Sequence, residues 1–476
     1  MSVNSLKSKV KGQKSGAFSF LTLDFRPVTF DFSFPSFILH PSSFILAALL
    51  LNLLLAACGL DNATTSTPPT ATPYPGFKGG IMVGGIFDLS GTTSDEGREY
   101  AKGVQDYVSY FNSNGGAAGY KIDLRSVDYA YKATVAIEAY QKLVKEGAVA
   151  FIGWTHSDTL ALTSQLGEGK TPFFSASYRD DVIRDIKKNP YNFFVTPTYS
   201  DQMRMSVQFV RILHPEPGRR LGVAHLLVDN DFGRYPLQAG RNYAADNNIF
   251  WYHEGFLNPT GEQNNIVFEI NRLKAARPDW TLIQADNILT AKLLKEIKQA
   301  GVDGRFAGMP TTGGPDLLAL AGPAAEGYYV GVTLPYATDE SPGMVSLRKW
   351  WTTNRLSNRP GSDPQSQELQ NPSERYIQGW VTANVLLEGI KQAALKGSVT
   401  SGDAVKSGLE TLENYTADGL LPPLTYTATN HKGTQIHFYR VTGGRWQPFI
   451  GDISLADLEK QPYQVTPMPP TPTPRR

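Results

Sequence analysis

The sequence predicts an α/β protein made of two doubly wound lobes. Two observations predict it. Apolar or β-branched runs alternate with helix-period segments, a rhythm that yields parallel sheets with helices on both faces. The rhythm runs once as far as Pro197 and then restarts, which gives two similar blocks. Runs such as "AVAFIGW" (148–154) support parallel pairing, because a strand covered on both faces needs no polar alternation.

In the first block, "GGIMVGGIFDLSG" (79–91) reads as a strand that ends in a polar loop. A helix over 94–116 follows. Ser94 is its expected N-cap, Glu96 lies in its first turn, and Tyr100, Val104, Tyr107, Val108 and Phe111 recur at three- and four-residue steps. "YKIDLRSVDY" (120–129) is the next strand, and 132–147 is an amphipathic helix closed by Gly147. Strands over 148–154 and 171–177 complete the block, and "IRDIKKN" (183–189) reads as a solvated helix end.

In the second block, strands are expected over 219–230, 249–257, 279–286 and 304–310, with helices over 235–248 and 288–301. After "GYYVGVTLPYA" (327–337) the character changes. Helices follow over 343–354, 373–394 and 402–412, and the segment 424–449 reads as a hairpin turning at "TGG".

Both ends differ from this body. Residues 43–57, "SFILAALLLNLLLAA", are too short for a comfortable membrane span and fit the core of a signal peptide. Leu55-Ala56-Ala57-Cys58 resembles the bacterial lipobox, in which the cysteine is diacylated and becomes the mature N-terminus. The basic residues Lys7, Lys9, Lys11, Lys14 and Arg26 lie far upstream, as they would if the true start were near residue 35. The division is therefore a leader over 1–58, a Thr/Pro-rich tether over 59–77 and a disordered tail over 461–476.

Composition narrows the chemistry. Formal net charge is +1, from 45 basic and 44 acidic residues among 476, which argues against nucleic acid as a partner. One cysteine excludes an intramolecular disulfide framework. The seven histidines (His40, His156, His214, His225, His253, His431 and His437) show no metal-binding spacing, and no cofactor or metal is expected. There is no G-x-S-x-G motif and no P-loop, and the glycines of 79–91 do not fit G-x-G-x-x-G. Glu96 with Asp286 is the nearest thing to an acid–base pair, so an enzyme is the least favoured class.

The series "DLSG", "NSNGGAAGYKIDL", "KATVAIEAYQKLVKEGAVAFIG", "TPFFSAS", "VDNDFGR", "AGVDGRFAGMP" and "AAEGYYVGVTLPY", in that order over about residues 80–450, resembles the type I periplasmic binding proteins. Within them it is similar to the branched-chain amino-acid branch, the solute receptors of ABC importers. The resemblance implies a Venus-flytrap fold whose lobes are joined by three crossings, here near Val195–Thr198, Thr333–Tyr336 and Leu420–Tyr426. Lobe 1 is then 78–196 with 336–422, and lobe 2 is 197–335 with 423–460.

Ligands of open α/β sheets bind outside the carboxyl ends of the strands. The candidates are therefore the loops at Leu89–Glu96, Trp154–Asp158, Ser175–Arg179, Asn230–Phe232, Asp286–Leu289 and Pro310–Thr312. The resemblance implies that Ser157 holds the ligand carboxylate with nearby backbone N–H groups. The alternative reading of Ser157 is a cap for a helix that starts at Asp158. Ser177, Tyr178 and Arg179 match the next strand end, and Phe232 takes the place of an aromatic that closes the cleft. His156 is more simply a hydrogen-bonding structural residue. Two departures stand out. The family's ammonium-binding glutamate falls near Leu289, for which Asp286 is the nearest substitute, and its first-loop aromatic falls near Glu96. These departures widen the expected ligand from a branched-chain amino acid to a polar solute such as an amino acid or amide.

The function these readings imply is a lipid-anchored, extracytoplasmic receptor that hands a small solute to the membrane subunits of an ABC permease. The alternative is a sensor domain read by a membrane kinase or chemoreceptor.

Overall fold

The computed structural model describes residues 76–214, 218–356, 371–397 and 401–458. The leader, Cys58, the tether up to residue 75 and the tail over 461–476 lie outside the described residues.

The first sheet holds β1 (Gly79–Phe87), β2 (Tyr120–Asp128), β3 (Ala150–Ile152), β4 (Phe173–Phe174) and β5 (Asn192–Phe193). Its order is β2-β1-β3-β4-β5 and every pairing is parallel. The second sheet holds β6 (Gly222–Val228), β7 (Phe250–Leu257), β8 (Trp280–Gln284), β9 (Arg305–Gly308) and β10 (Tyr329–Val332). These run β7-β6-β8-β9-β10 and are also parallel. The two sheets thus share one winding, with the chain reversing direction next to the first strand of each. β11 (Gln435–Thr442) and β12 (Arg445–Ser454) extend the second sheet antiparallel beyond β10, turning at Gly443–Gly444.

Each sheet has its own core. One cluster joins Ile81–Val195 to Ala337–Tyr426. Two others surround the second sheet and draw on residues between Met203 and Ile453. The chain therefore leaves the first core near Val195, returns after Tyr336, and leaves again after Tyr426.

Helix α1 (Ser94–Ser113) follows β1, and Tyr100, Val104, Tyr107, Val108 and Phe111 are all buried along it. α2 (Ala133–Lys145) follows β2, α3 (His156–Gly169) follows β3, and α4 (Tyr199–Ile212) opens the second core. The helix expected over 235–248 is α6 (Leu237–Asp246), and a separate turn of helix, α5 (Asp231–Arg234), precedes it with Pro236 between them. α7 (Gln263–Ala276), α8 (Asn287–Gln299) and α9 (Gly314–Ala321) complete the second lobe's layers. α10 (Pro342–Trp351), α11 (Glu374–Leu395) and α12 (Gly402–Leu409) return to the first core.

Helices α4 and α7 are not among the elements expected from the sequence, and the other local corrections concern ends. Thr93, not Ser94, holds the cap position of α1. The strand expected over 171–177 shrinks to two residues, because the Ser175 hydroxyl accepts hydrogen bonds from the Thr159 hydroxyl and the Ser177 N–H and turns the chain. Residues 183–189 are turns rather than a helix end, and there the Asp185 carbonyl accepts from the N–H groups of Lys188 and Asn189.

α11 lies on α1 with no side chain between them at the closest point. A Cβ on Gly103 would meet the carbonyl oxygen of Tyr376, and a Cβ on Gly379 would meet that of Tyr100. Trp380, 1% exposed, stands edge-on to Tyr107 at 5.1 Å beside this crossing. The crossing brings the first turns of both helices to the same edge of the first lobe.

Candidate functional site

The reversal of winding leaves a crevice at the carboxyl ends of β1 and β3, and an equivalent one at β6 and β8. The loops at these points carry most of the candidate residues.

In the first lobe, the fully buried Asp88 accepts hydrogen bonds from Gly91 N (2.6 Å), Thr93 N (2.9 Å) and Thr93 Oγ1 (2.7 Å). This fixes the Thr93 hydroxyl, which accepts from the Trp154 indole at 2.8 Å. The loop after β3 is held in the same way. Thr155 and Asp158 form a capping box at the start of α3, so Thr155 is the cap and the helix begins one residue before Ser157. Asp158 accepts from Trp154 N, Thr155 N and Thr159 N at 2.8–3.0 Å. The Ser157 hydroxyl pairs with that of Thr155 at 2.8 Å, and Thr155 pairs with Tyr129 at 2.8 Å. Three hydroxyls thus gather at a helix N-terminus, a setting that favours an anion.

Beside them, Ser177 is partly exposed, whereas Tyr178 turns inward and accepts from the Gln378 amide at 2.8 Å. Arg179 lays its guanidinium 4.2 Å from the ring centre of Tyr235, which belongs to the second lobe, and donates to Asp181 at 3.2 Å. Tyr235 also meets Asp180 through its hydroxyl. His156 contacts the same Asp181 at 3.3 Å. Burial holds the His156 imidazole below its usual range, with Asp181 pulling the other way, so it is mostly neutral at pH 7.

In the second lobe, Asn230 caps α5 by accepting from Gly233 N at 3.0 Å, and Phe232 stands edge-on to Tyr199 at 5.5 Å. Gln284 donates to the Phe232 carbonyl at 3.2 Å. Asp286 is exposed and caps α8, accepting from Leu289 N at 2.8 Å. Leu289 is 2% exposed and packs in the second core.

Glu96 is held by a residue that sequence reasoning missed. Arg375, in the first turn of α11, donates to it at 2.7–2.8 Å, donates to Gln378 at 3.0 Å, and lies 5.5 Å from the Trp154 ring centre. Its neighbour Glu374 reaches toward the second lobe. A Cβ on Gly314 would strike its Oε1, the Asn287 side chain hydrogen-bonds its carboxylate, and Asp316 stands near enough to act on its charge. Burial pushes the Glu374 carboxyl up to about 7, with Arg375 and the Asn287 hydrogen bond opposing and Asp316 and Glu96 adding to the rise. No local pattern could have flagged "SER" at 373–375, because its partners are hundreds of residues away in the chain.

Several buried polar atoms at this edge have no hydrogen-bond partner among the described residues: His156 Nδ1, Arg179 Nε, Gln284 Oε1, Asn287 Oδ1, Tyr336 OH and Glu374 Oε1. They come from both lobes, and each sits at a strand end, in the loop that comes after it, or at a helix start. A cavity of about 720 Å³ opens nearby among Asp180, Arg184, Asp201, Arg204, Tyr235 and Lys432. Its charges already pair internally, Asp201 with Arg204 and Lys432, and Asp180 with Arg184. It is therefore a poorer site than the strand-end loops. Among the described residues no group of three or more His, Cys, Asp or Glu side chains could hold a metal ion, and no helix is long and apolar enough to cross a membrane.

Comparison with known proteins bears on the family and the fold. A family model described as a periplasmic binding protein matches residues 80–445. The Leu/Ile/Val-binding protein of Escherichia coli K12 is 22% identical over 352 residues, 73% of this chain and 86% of that protein. A branched-chain amino acid ABC transporter protein from Thermus thermophilus, solved with bound valine, superposes with a TM-score of 0.67 at 22% identity over 80% of this chain and 98% of its own. A fatty acid ABC transporter substrate-binding protein from Thermomonospora curvata gives 0.60 at 17% identity, covering 79% and 91%. One fold thus serves relatives with chemically different solutes.

Proposed function

The chain belongs to the periplasmic binding protein family, and from that premise we propose that it is the solute receptor of an ABC importer, binding a small polar solute, such as an amino acid or amide, between its two lobes. The lobes follow the cores, 78–196 with 337–426 and 197–336 with the strands over 435–454. One observation carries the proposal. Unpartnered polar atoms lie at the strand ends of both lobes, with Arg179 Nε as a donor on the first lobe and Gln284 Oε1 and Asn287 Oδ1 as acceptors on the second. A buried polar atom without a partner costs about 1–3 kcal/mol, and a solute that spans the lobes recovers that cost only when they are shut. Binding then stabilises the closed form.

In this reading Ser157 and the first turn of α3 take the anionic end of the solute, and Trp154 and Arg375 form the wall beside it. Ser177 and Arg179 line the adjacent edge, and Phe232 covers the solute from the second lobe. Tyr178 and Asp286 serve as supports, because their polar groups are spent on Gln378 and on the α8 cap. Cys58 carries a lipid that tethers the receptor outside the membrane, within reach of its permease.

A thermal-shift panel of amino acids, amides, polyamines and small acids tests the proposal. A true ligand at a hundredfold excess over its Kd adds about 2.7 kcal/mol of stability. Ser157→Ala is expected to weaken that ligand about tenfold, the value of one hydrogen bond to a charged group, and to leave the unliganded melting temperature unchanged. A panel in which no compound moves the midpoint would overturn the receptor reading.

A further inference from the structure

We propose that Tyr235 is a positioning residue that latches the second lobe to the first at Asp180 and Asp181 and seats Arg179 at the cleft edge, without touching the solute itself. The inference rests on the receptor function proposed for the cleft and adds to it a residue, outside the candidate loops, that sets how long the closed form lasts.

Tyr235 stands where α5 ends and Pro236 leads into α6, in the second lobe. Arg179, Asp180 and Asp181 follow β4 in the first, whose core takes in their neighbours Tyr178 and Val182. The Tyr235 hydroxyl uses both of its roles across the lobes. It donates to Asp180 Oδ1 and accepts from the Asp181 N–H at 3.2 Å. Its ring carries the Arg179 guanidinium, 4.2 Å from the ring centre. The other oxygen of Asp180 accepts from Arg184 Nε at 3.1 Å and Nη2 at 2.7 Å. Burial alone would raise the Asp180 carboxyl, but hydrogen bonds from Tyr235 and Arg184 outweigh it and hold the carboxyl below its usual range. Burial, with Asp180 beside it, pushes the Tyr235 phenol up to about 12. The donor therefore keeps its proton and the acceptor its charge at neutral pH, and such charge-assisted bonds are the stronger kind. Arg179 gains a fixed seat from the same contacts. One face of its guanidinium lies on Tyr235 and Nη2 donates to Asp181 at 3.2 Å, while Nε is left buried and without a partner. The seat draws on both lobes, so it is complete only where they meet.

A rival account makes Tyr235 a static brace of the hinge, in place whether the lobes are open or shut. Ser200 fits that role. It lies just after the crossing near Val195–Thr198, and its hydroxyl donates to the same Asp180 Oδ1 at 3.2 Å. The two accounts differ in what the loss of the Tyr235 hydroxyl does. A brace stabilises open and closed forms alike, so its loss lowers the stability of the unliganded protein and leaves solute release alone. A latch forms only on closing, so its loss speeds release and leaves the unliganded protein as stable as before.

The experiment uses the purified full-length protein and, as probe, whichever of the twenty L-amino acids and their primary amides raises its melting temperature most. Stopped-flow fluorescence gives association and dissociation rates for wild type, Tyr235→Phe, Asp180→Ala and the double variant. Tyr235→Phe keeps the ring beneath Arg179 and loses both hydroxyl contacts. It is expected to release the probe about tenfold faster, the value of one hydrogen bond to a charged group, with association within about twofold of wild type and the unliganded melting temperature unchanged. Asp180→Ala is expected to speed release at least as much, and the double variant no more than Asp180→Ala alone, because the two residues make one contact. Asp180→Ala carries the same test if Tyr235→Phe does not fold. A folded Tyr235→Phe with the wild-type release rate, a lowered unliganded melting temperature with release unchanged, or effects that multiply in the double variant would each overturn the latch and leave the receptor reading intact. If no probe stabilises the protein at all, the receptor reading fails and the latch falls with it.

Discussion

Gly379→Ala is expected to destabilise the protein by about 2–3 kcal/mol and to impair solute binding at the same time. The Cβ it adds points at the carbonyl oxygen of Tyr100, and backbone atoms cannot rotate out of the way as a side chain can. α11 must therefore lift off α1, which is the usual cost of overpacking a close contact. The movement is transmitted along the helix. Tyr376 would be drawn from its 2.7 Å hydrogen bond to Asp106, which also accepts from Arg355 at 2.7 Å through each carboxylate oxygen. Glu374 and Arg375, little more than one turn away, would leave their positions at the edge of the cleft. Urea unfolding with and without the strongest ligand separates the two effects. Wild-type stability in Gly379→Ala would show that the two helices do not meet backbone to backbone.

Asp158→Ala is expected to cost about 3 kcal/mol or more. Its carboxylate is fully buried and accepts three backbone N–H groups, from Trp154, Thr155 and Thr159, as well as the Thr155 hydroxyl. Alanine would leave those donors buried and unpaired and remove half of a capping box. Asp158→Asn should recover only part of the loss, because one face of the amide donates where an acceptor is needed. Both variants should also weaken solute binding, since Asp158 fixes the loop that carries Trp154 and Ser157. Equilibrium urea denaturation checks the first effect. An Asp158→Ala protein within about 0.5 kcal/mol of wild type, the range of ordinary surface substitutions, would contradict it.

What the sequence made legible was the periodic part. Alternating strands and helices carry their own signal, and the five apolar positions read along α1 are all buried. The relatives and solved neighbours share the architecture that this alternation implies. The signal failed where tertiary partners decide. β4 reads from its apolar run but is only two residues long, and β5, also two residues, is too short for any pattern, so its neighbours alone define it. Thr93 takes the α1 cap position because Asp88 and Trp154 hold it there, not because of its spacing. Glu96 looks like an isolated acid in the chain, and only the crossing of α1 and α11 reveals Arg375 beside it. Asp286 reads as a free carboxylate in the chain, but the start of α8 uses that carboxylate as a cap. Asn287 falls within the candidate loop Asp286–Leu289, but Glu374 could not be reached from any local motif, because its surroundings come from residues distant in the chain.

If one solute is held by both lobes at once, affinity must depend on residues from each. A double-mutant cycle by calorimetry tests this most directly, with Ser157→Ala on the first lobe and Asn287→Ala on the second, using the strongest stabilising solute. Each variant is expected to weaken binding about tenfold or more, in line with the loss of a hydrogen bond to a charged group, while the unliganded melting temperature holds. Wild-type affinity in both single variants would place the solute elsewhere and contradict the account.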